Sequence, residues 1–199
     1  MKKTIITLFL TSTAFFCLPD LSAQKTTFMG SINVSESSIH WLGKKITGQH
    51  EGKINLLSGS LIMENGSLTG GDFIVDMNSL VSTDLKGESA KKLEGSLRSK
   101  EWFDVGKYPQ AKLVFTSIVI RDQGLYTVTG DFTIKGKTNP ATFELKVNDL
   151  EATAKVIIDR TLYNILYGST SLFDNLKGKM INNYFEIDVS LKLLSTKTP

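Results

Sequence analysis

The sequence predicts an all-β protein, an antiparallel sandwich or barrel, and three observations support this. Short runs of alternating apolar and polar residues follow one another along most of the chain, and a period of two residues is the period of a β-strand. Turn residues separate these runs about every ten residues, which is typical of antiparallel sheets. A single short stretch has the spacing of an amphipathic helix. Periodicity leaves the choice between sandwich and barrel open.

Two hairpins and the last strand show the pattern most clearly. Asn65-Gly66 lies between two alternating runs in "GSLIMENGSLTGGDFIVDM", and this dipeptide supplies the positive φ of a two-residue hairpin turn. Asp122 to Gly124 separates two further runs in the same way. In "YFEIDVSLKLL" every second residue is apolar, which predicts one apolar face formed by Phe185, Ile187, Val189, Leu191 and Leu193.

The stretch "TGDFTIKGKT", Thr129 to Thr138, is close to a phosphate-binding loop but does not match one. Such a loop has four residues between its glycines and a helix after it. Here five residues separate Gly130 from Gly136, Phe132 and Ile134 alternate with polar residues, and Pro140 precedes another alternating run. The stretch therefore predicts a strand, a turn and a strand.

The helical candidate is "ESAKKLEGSLRS", in which Ala90, Leu93 and Leu97 share one face. The segment after it, "EWFDVGKYPQ", carries Trp102, Phe103 and Tyr108. These aromatic side chains are suited either to plugging an apolar opening or to ordinary packing of a loop on the core. Both interpretations stay open at this point.

The amino terminus is predicted to be a signal peptide covering residues 1–23. Lys2 and Lys3 precede an apolar run, and small residues end at Ala23, which is the organisation of a secretory signal. We therefore expect a single domain over residues 24–199, located in the periplasm or secreted. Lipidation of Cys17 is the alternative, although the bulky Phe16 before it is unusual for that modification. Because Cys17 is the only cysteine, the mature domain has no disulfide and no thiol nucleophile.

Charge gives no indication of a nucleic-acid partner. The formal net charge is +3, and the basic residues are interspersed with acidic ones instead of forming a basic patch. No apolar stretch after the signal peptide approaches the ~20 residues of a membrane-spanning helix. We therefore predict no transmembrane anchor in the mature protein.

No arrangement of residues indicates catalysis or metal binding. The sequence has no G-x-S-x-G motif, and His40 and His50 are ten residues apart, without the spacing of a zinc site. A hydrolase acting on cell-envelope material remains the alternative, because carboxylates near turns could meet in space: Asp72, Asp76, Asp84 and Glu101. A structural or stress-response module with a filled core is a third possibility.

Four segments, in order, resemble the YceI-like family of lipid- and polyisoprenoid-binding proteins. They are "HWLGKKITGQHEGKI", "GGDFIVDMNSLVSTDL", "LRSKEWFDVGKYPQAKLVF" and "YTVTGDFTIKGKT". The later stretch "IDRTLYNILYGS" is similar to the family's Asp-Arg segment. Family members often carry His-Leu where this chain has Ser96-Leu97, so no role of that histidine carries over.

The resemblance implies an extended, antiparallel, lipocalin-like barrel with one short helix and an aromatic loop after it. It also implies an exported, non-enzymatic carrier that holds an isoprenoid or another lipid, quinones included, in an apolar tunnel. No cofactor and no metal are implied. The oligomeric state stays open, a homodimer included.

On this basis we nominate twelve ligand-binding residues. Most lie on the predicted apolar faces of strands, with the tryptophans and Phe103 nearer an end of the tunnel. His50 and Arg160 are candidates for a polar ligand head, and hydrogen bonding to neighbouring loops is the alternative for both. The twelve residues are Trp41, His50, Phe73, Val75, Met77, Trp102, Phe103, Phe115, Phe132, Ile134, Phe143 and Arg160.

Overall fold

The computed structural model describes residues 27–148, 150–169 and 180–194. The predicted signal peptide and Cys17 lie outside the described residues. Eight strands, one α-helix and one 3₁₀ helix follow one another along these residues. Their bounds are β1 Thr27–Lys45, β2 Gly48–Glu64, β3 Ser67–Ser82, α1 Gly87–Arg98, β4 Gln110–Asp122, β5 Leu125–Ile134, β6 Lys137–Val147, β7 Glu151–Asp159, the 3₁₀ helix Arg160–Tyr163 and β8 Ile181–Leu193.

The strands form a closed antiparallel barrel. Each strand pairs with the next, and β8 pairs with β1, where Trp41 lies opposite Ile187. Closure gives every strand a neighbour on both sides, although the pairing of β3 with β4 and of β6 with β7 covers only part of these strands. The all-β prediction is confirmed, and the barrel is the form that the sheet takes.

Two-residue turns form the predicted hairpins. Asn65 and Gly66 have φ values of 50° and 78°, and Lys135 and Gly136 have values of 48° and 72°. Positive φ at both central residues is the geometry that matches the twist of paired strands. The stretch "TGDFTIKGKT" is therefore the β5–β6 hairpin, as predicted. A Cβ atom on Gly136 would lie 2.6 Å from Tyr108 Cε1, so the aromatic loop also needs glycine at this turn.

The end of the barrel near the β2–β3 and β4–β5 hairpins is filled by side chains. Leu61 and Val128 are completely buried there. Cross-strand pairing between β3 and β4 covers only Asp72–Asp76 on β3. Beyond it, the Leu68 N–H donates to the Tyr126 hydroxyl at 3.4 Å, so a side chain takes the place of the missing strand partner.

Helix α1 and the aromatic loop lie at the opposite end. Leu97 is the buried residue of α1. The Glu94 carboxylate accepts a hydrogen bond from the Ser82 N–H at 3.0 Å, and the Met77 N–H donates to the Pro109 carbonyl at 3.0 Å. These contacts attach the β3–β4 connection to β3. Neither helix among the described residues is long and apolar enough to cross a bilayer.

Candidate ligand-binding site

An apolar cavity of about 260 Å³ lies inside the barrel, in the half nearer α1. All eight strands, α1 and the aromatic loop contribute to its wall. Side chains alternate between the two faces of a strand, so each strand presents every second residue to the interior. The predicted apolar face of β8 is an example, because Phe185, Ile187, Val189 and Leu191 line the cavity.

The structure brings all twelve nominated residues to this one cavity. They come from different parts of the chain, from Trp41 on β1 to Arg160, the first residue of the 3₁₀ helix. Their position around a common space is therefore a property of the folded barrel. Their role in ligand binding stays a prediction.

Some wall residues were missed by the sequence analysis. Ala154, Val156 and Ile158 of β7 and Leu93 and Leu97 of α1 also line the cavity. Alternation along β7 was a usable signal, but small alanines made its inward face weak. For α1, an apolar face predicts burial, and only the tertiary structure shows what the face contacts.

Four phenylalanines form a continuous aromatic part of the wall. Phe73 and Phe115 have ring centroids 5.6 Å apart, Phe115 and Phe143 are 6.0 Å apart, and Phe143 and Phe132 are 6.1 Å apart. Tilted and edge-on pairs at these distances are favourable. Because the rings come from four strands, they connect β3 to β6 across the interior.

Trp102 and Phe103 of the aromatic loop close part of the α1 end. The Trp102 ring lies 5.8 Å from the Tyr167 ring, and the Phe103 ring meets the Phe185 ring edge-on at 6.3 Å. Both Trp102 and Phe103 also line the cavity. The two interpretations of the loop therefore coincide, since the side chains that pack on the barrel also cover its interior.

Arg160 is buried, with 1% of its surface exposed. Its guanidinium lies 5.4 Å from the centre of the Trp102 ring, within the range of a cation–π contact. Burial lowers the pKa of Arg160, and the charge of Asp159 acts in the opposite direction. Four hydrogen bonds of 2.7–3.1 Å go to backbone carbonyls, those of Ile165, Tyr167, Ile181 and Asn182.

These bonds account for four of the five N–H donors of the Arg160 guanidinium. They connect the 3₁₀ helix, the residues after it and the start of β8. Of the two interpretations of Arg160, hydrogen bonding to neighbouring loops therefore describes most of what its side chain does.

His50 reaches the cavity because it lies on the inward face of β2. Gly52 and Ile54 follow on the same face. A Cβ atom on Gly52 would lie 2.5 Å from Trp41 Cζ2 and 1.9 Å from the Val81 carbonyl oxygen. Glycine at position 52 therefore makes room for the indole of Trp41 beside His50.

Asp84 holds the His50 ring from the loop before α1. His50 Nδ1 lies 2.7 Å from Asp84 Oδ2, and the Ser82 hydroxyl donates to Asp84 Oδ1 at 2.7 Å. The Glu51 N–H is a longer donor to the same oxygen, at 3.3 Å. Partial burial acts to raise the Asp84 pKa, but these hydrogen bonds outweigh it and lower the pKa. Asp84 is therefore an ionised partner that orients the imidazole.

Apart from Lys112 of β4, the remaining polar wall residues lie where β1 ends and β8 begins. Lys44, Lys45, Asn182 and Tyr184 line this part of the cavity. All four are exposed, and the Lys44 ammonium forms an ion pair with Glu186 on β8. This side of the cavity is therefore its polar, solvent-facing part.

The carboxylates of the hydrolase alternative lie elsewhere. None of the four residues Asp72, Asp76, Asp84 and Glu101 lines the cavity. Asp76 accepts hydrogen bonds from both nitrogens of Asn78, and Glu101 accepts one from the Ser99 hydroxyl. Within the described ranges, no group of three acidic or histidine side chains is placed to hold a metal ion.

Comparison with known sequences decides the family. The YceI-like domain matches residues 31–193. The chain belongs to the YceI-like family. A UPF0312 protein of Vibrio parahaemolyticus is 28% identical to it over 152 residues, which are 72% of this chain and 73% of that protein. A UPF0312 protein of Yersinia enterocolitica is 37% identical over 71 residues, and the match spans 36% of each chain.

Solved structures show the same YceI-like barrel. BcnA of Burkholderia cenocepacia superposes with a TM-score of 0.66 at 22% identity, covering 82% of this chain and 99% of BcnA. A polyisoprenoid-binding domain of Saccharophagus degradans, implicated in plant cell wall breakdown, gives 0.57 at 13% identity, covering 83% and 97%. At these identities the likeness shows the fold.

Proposed function

We propose that this YceI-like protein is an exported, non-enzymatic carrier. It sequesters a polyisoprenoid or a related lipid, isoprenoid quinones included, in the barrel cavity. The observation that carries the proposal is the cavity itself, which lies in the interior of the barrel and has an apolar wall from all eight strands. Pockets of this kind, with few polar groups, are suited to small apolar ligands.

The energetic cost of the cavity supports a ligand. At ~24 cal/mol per Å³, a cavity of about 260 Å³ left empty costs on the order of 6 kcal/mol. That is comparable to the whole stability of a typical domain, about 5–15 kcal/mol. A structural module would gain stability by filling the space, as the other end of this barrel does with Leu61 and Val128.

The free energy gained by burying a prenyl chain is comparable to the cost of leaving the cavity empty. One isoprene unit exposes on the order of 100 Å² of apolar surface, so several units recover roughly 10 kcal/mol at ~25 cal/mol per Å². Ordering a flexible chain offsets part of this gain. A ligand of this type also agrees with the polyisoprenoid binding described for the Saccharophagus degradans domain, which has the same fold.

Native mass spectrometry of the exported protein tests the carrier function. We expect a bound species that organic extraction releases and that proves to be a prenyl or related lipid. The delipidated protein should then take up a prenyl lipid again. A compact, ligand-free protein that takes up no prenyl lipid would overturn the proposal.

Export has a separate test. The basic residues Lys2 and Lys3, the apolar run after them and Ala23 support cleavage of a signal peptide. The intact mass of the native protein should correspond to a chain that starts at Gln24 and is found outside the cytoplasm. A lipid-modified chain that begins at Cys17 would instead establish the lipoprotein alternative, and a chain that keeps residues 1–23 would contradict export.

The hydrolase alternative predicts turnover. Replacing Asp76 or Glu101 by the matching amide should abolish activity on envelope material if either carboxylate is catalytic. For a carrier we expect neither turnover nor any change in lipid binding in these two variants, because neither side chain lines the cavity.

A further inference from the structure

Asp84 selects one tautomer of His50. A carboxylate accepts hydrogen bonds and donates none, and three donors converge on Asp84: His50 Nδ1, the Ser82 hydroxyl and the Glu51 N–H. The proton of a neutral His50 ring therefore resides on Nδ1. It follows that Nε2 carries a lone pair.

Nε2 is the ring nitrogen of His50 that is left for a ligand, because Asp84 holds Nδ1. His50 lines the cavity, and its side chain is 28% exposed. No described residue forms a hydrogen bond with Nε2. The other charged groups of the wall differ, because the side chains of Arg160, Lys44, Lys45 and Lys112 only donate hydrogen bonds.

The surroundings of His50 make this acceptor selective. Trp41 lies next to it, because its cross-strand partner Gly52 is the next inward residue of β2 after His50, so a ligand head at this position loses part of its contact with water. A buried hydroxyl without an acceptor is unfavourable, whereas an ether or ester oxygen gains nothing from a second acceptor. The ring therefore distinguishes heads that donate from heads that only accept.

We propose that His50, positioned by Asp84, accepts a hydrogen bond from a hydroxyl group at the head of the bound chain. The site then takes an apolar chain that ends in an alcohol-type donor, such as a prenyl alcohol or a quinol. This inference rests on the proposed carrier function and adds the chemical class of the ligand head. One such bond corresponds to a preference on the order of tenfold over a head that cannot donate.

The test compares a prenyl alcohol with its methyl ether, both with the same number of isoprene units. Titrations at about pH 8 follow the fluorescence of Trp41 and Trp102, which both line the cavity. For the unmodified protein we expect the alcohol to bind on the order of tenfold more tightly. His50→Leu should remove this preference and keep the affinity for the ether.

His40→Leu is the matched control. His40 is exposed on β1 and does not line the cavity, so this variant should keep the full preference for the alcohol. It also leaves His50 as the one histidine of the chain, which simplifies imidazole nitrogen NMR. That spectrum should show the proton on Nδ1.

Asp84→Asn tests the positioning role. An asparagine side chain can donate to Nδ1 and so permits the proton to move to Nε2. In an Asp84→Asn, His40→Leu protein we expect the NMR spectrum to show a population with the proton on Nε2. The preference for the alcohol should fall while the affinity for the ether stays the same.

The possible failures are distinguishable. Equal binding of alcohol and ether by the unmodified protein would overturn the headgroup inference and leave the carrier function in place. A proton on Nε2 in the His40→Leu protein would overturn the tautomer on which the inference depends. Binding of neither ligand would overturn the carrier function and the headgroup inference together.

Discussion

At the residue scale, the same type of side chain has a different role at the two ends of the barrel. Leu61 is completely buried at the filled end and does not line the cavity. Phe132, on β5, is only half-buried and faces the cavity. Removing the Leu61 side chain opens a hole in a packed core, whereas removing the Phe132 side chain widens a cavity that is already present.

Phe132→Ala should therefore destabilise the protein by less than the ~3–5 kcal/mol expected for a phenylalanine in a filled core. It should also change which prenyl chain lengths bind, because the cavity becomes larger. Denaturant unfolding and binding titrations with prenyl lipids of several lengths measure the two effects.

Two control variants complete this experiment. Leu61→Ala should cost the ~2–5 kcal/mol typical of a buried leucine. Thr133→Ala removes a hydroxyl that contacts the Thr138 hydroxyl at 2.8 Å on the outer face, so ligand preference should not change. If Phe132→Ala has the full core cost and leaves the chain-length preference as it was, the ligand does not pass Phe132.

At the element scale, two charged side chains, those of Arg160 and Glu186, connect β8 to neighbouring segments of the chain. Arg160 joins the 3₁₀ helix to the start of β8 through four backbone carbonyls. On the outer face, Glu186 of β8 contacts Lys44 of β1 and Lys155 of β7. Both arrangements lie close to where β8 begins, and β8 is the strand that closes the barrel.

Arg160→Met should lower the free energy of unfolding by at least ~3 kcal/mol. Several carbonyls lose a buried donor, and each such loss costs about 1–3 kcal/mol. Arg160→Lys should recover only part of this, because an ammonium has three donors and no planar fork. Denaturant unfolding of both variants is the measurement. A loss below ~1 kcal/mol for Arg160→Met would show that water replaces the guanidinium.

Glu186 should make stability depend on pH in the acid range. Hydrogen bonds from Lys44 and Lys155 lower its pKa from 4.5 to about 2. A carboxyl whose pKa is lower in the folded state stabilises that state above the unfolded pKa, and the effect is lost as the pH falls through the folded pKa. Glu186→Gln should therefore destabilise the protein at neutral pH, and the difference from the unmodified protein should disappear between about pH 4.5 and 2.

Denaturant unfolding at a series of pH values measures this difference. Glu88→Gln is the control, because the Glu88 carboxylate pairs with the exposed Lys91 at 3.1 Å, and exposed pairs contribute little. Added salt should reduce the effect of Glu186→Gln. Parallel pH curves for Glu186→Gln and the unmodified protein would show that the Lys44 and Lys155 contacts do not stabilise the fold.

At the scale of the whole molecule, the barrel is divided into a packed half and a hollow half. The hollow half holds about 260 Å³, just below the ~300–1,000 Å³ typical of ligand pockets. A finite apolar space of this size sets a length for the chain that it can enclose. Isoprene units beyond that length stay in contact with water.

Affinity should therefore increase with chain length and then level off. Each enclosed isoprene unit contributes up to roughly 2.5 kcal/mol before the cost of ordering the chain. Both tryptophans of the protein line the cavity, so intrinsic fluorescence measures binding across a series of prenyl alcohols. The variants Trp41→Phe and Trp102→Phe identify which tryptophan gives the fluorescence change for each prenyl alcohol in the series. Affinity that is independent of chain length would contradict enclosure of the chain.

The local structure of this protein could be predicted from its residue pattern. Alternation predicted the inward faces, such as Phe185, Ile187 and Val189 on β8, because strand geometry puts neighbouring residues on opposite faces. Asn65-Gly66 predicted a tight turn because its backbone readily adopts positive φ. The helix was expected over residues 88–99 and is found at Gly87–Arg98, since its apolar spacing is also a local property.

Closure of the barrel, the cavity and the polar contacts of the site depend on how distant parts of the chain come together. Closure depends on β8 pairing with β1, and His50 meets Asp84 across 34 residues of chain. Alternation cannot show whether an apolar face surrounds a space or packs on another face, because that depends on the summed volume of side chains from all eight strands. The hydrogen bonds of Arg160 likewise go to carbonyls, which every residue has, so no residue pattern could indicate them.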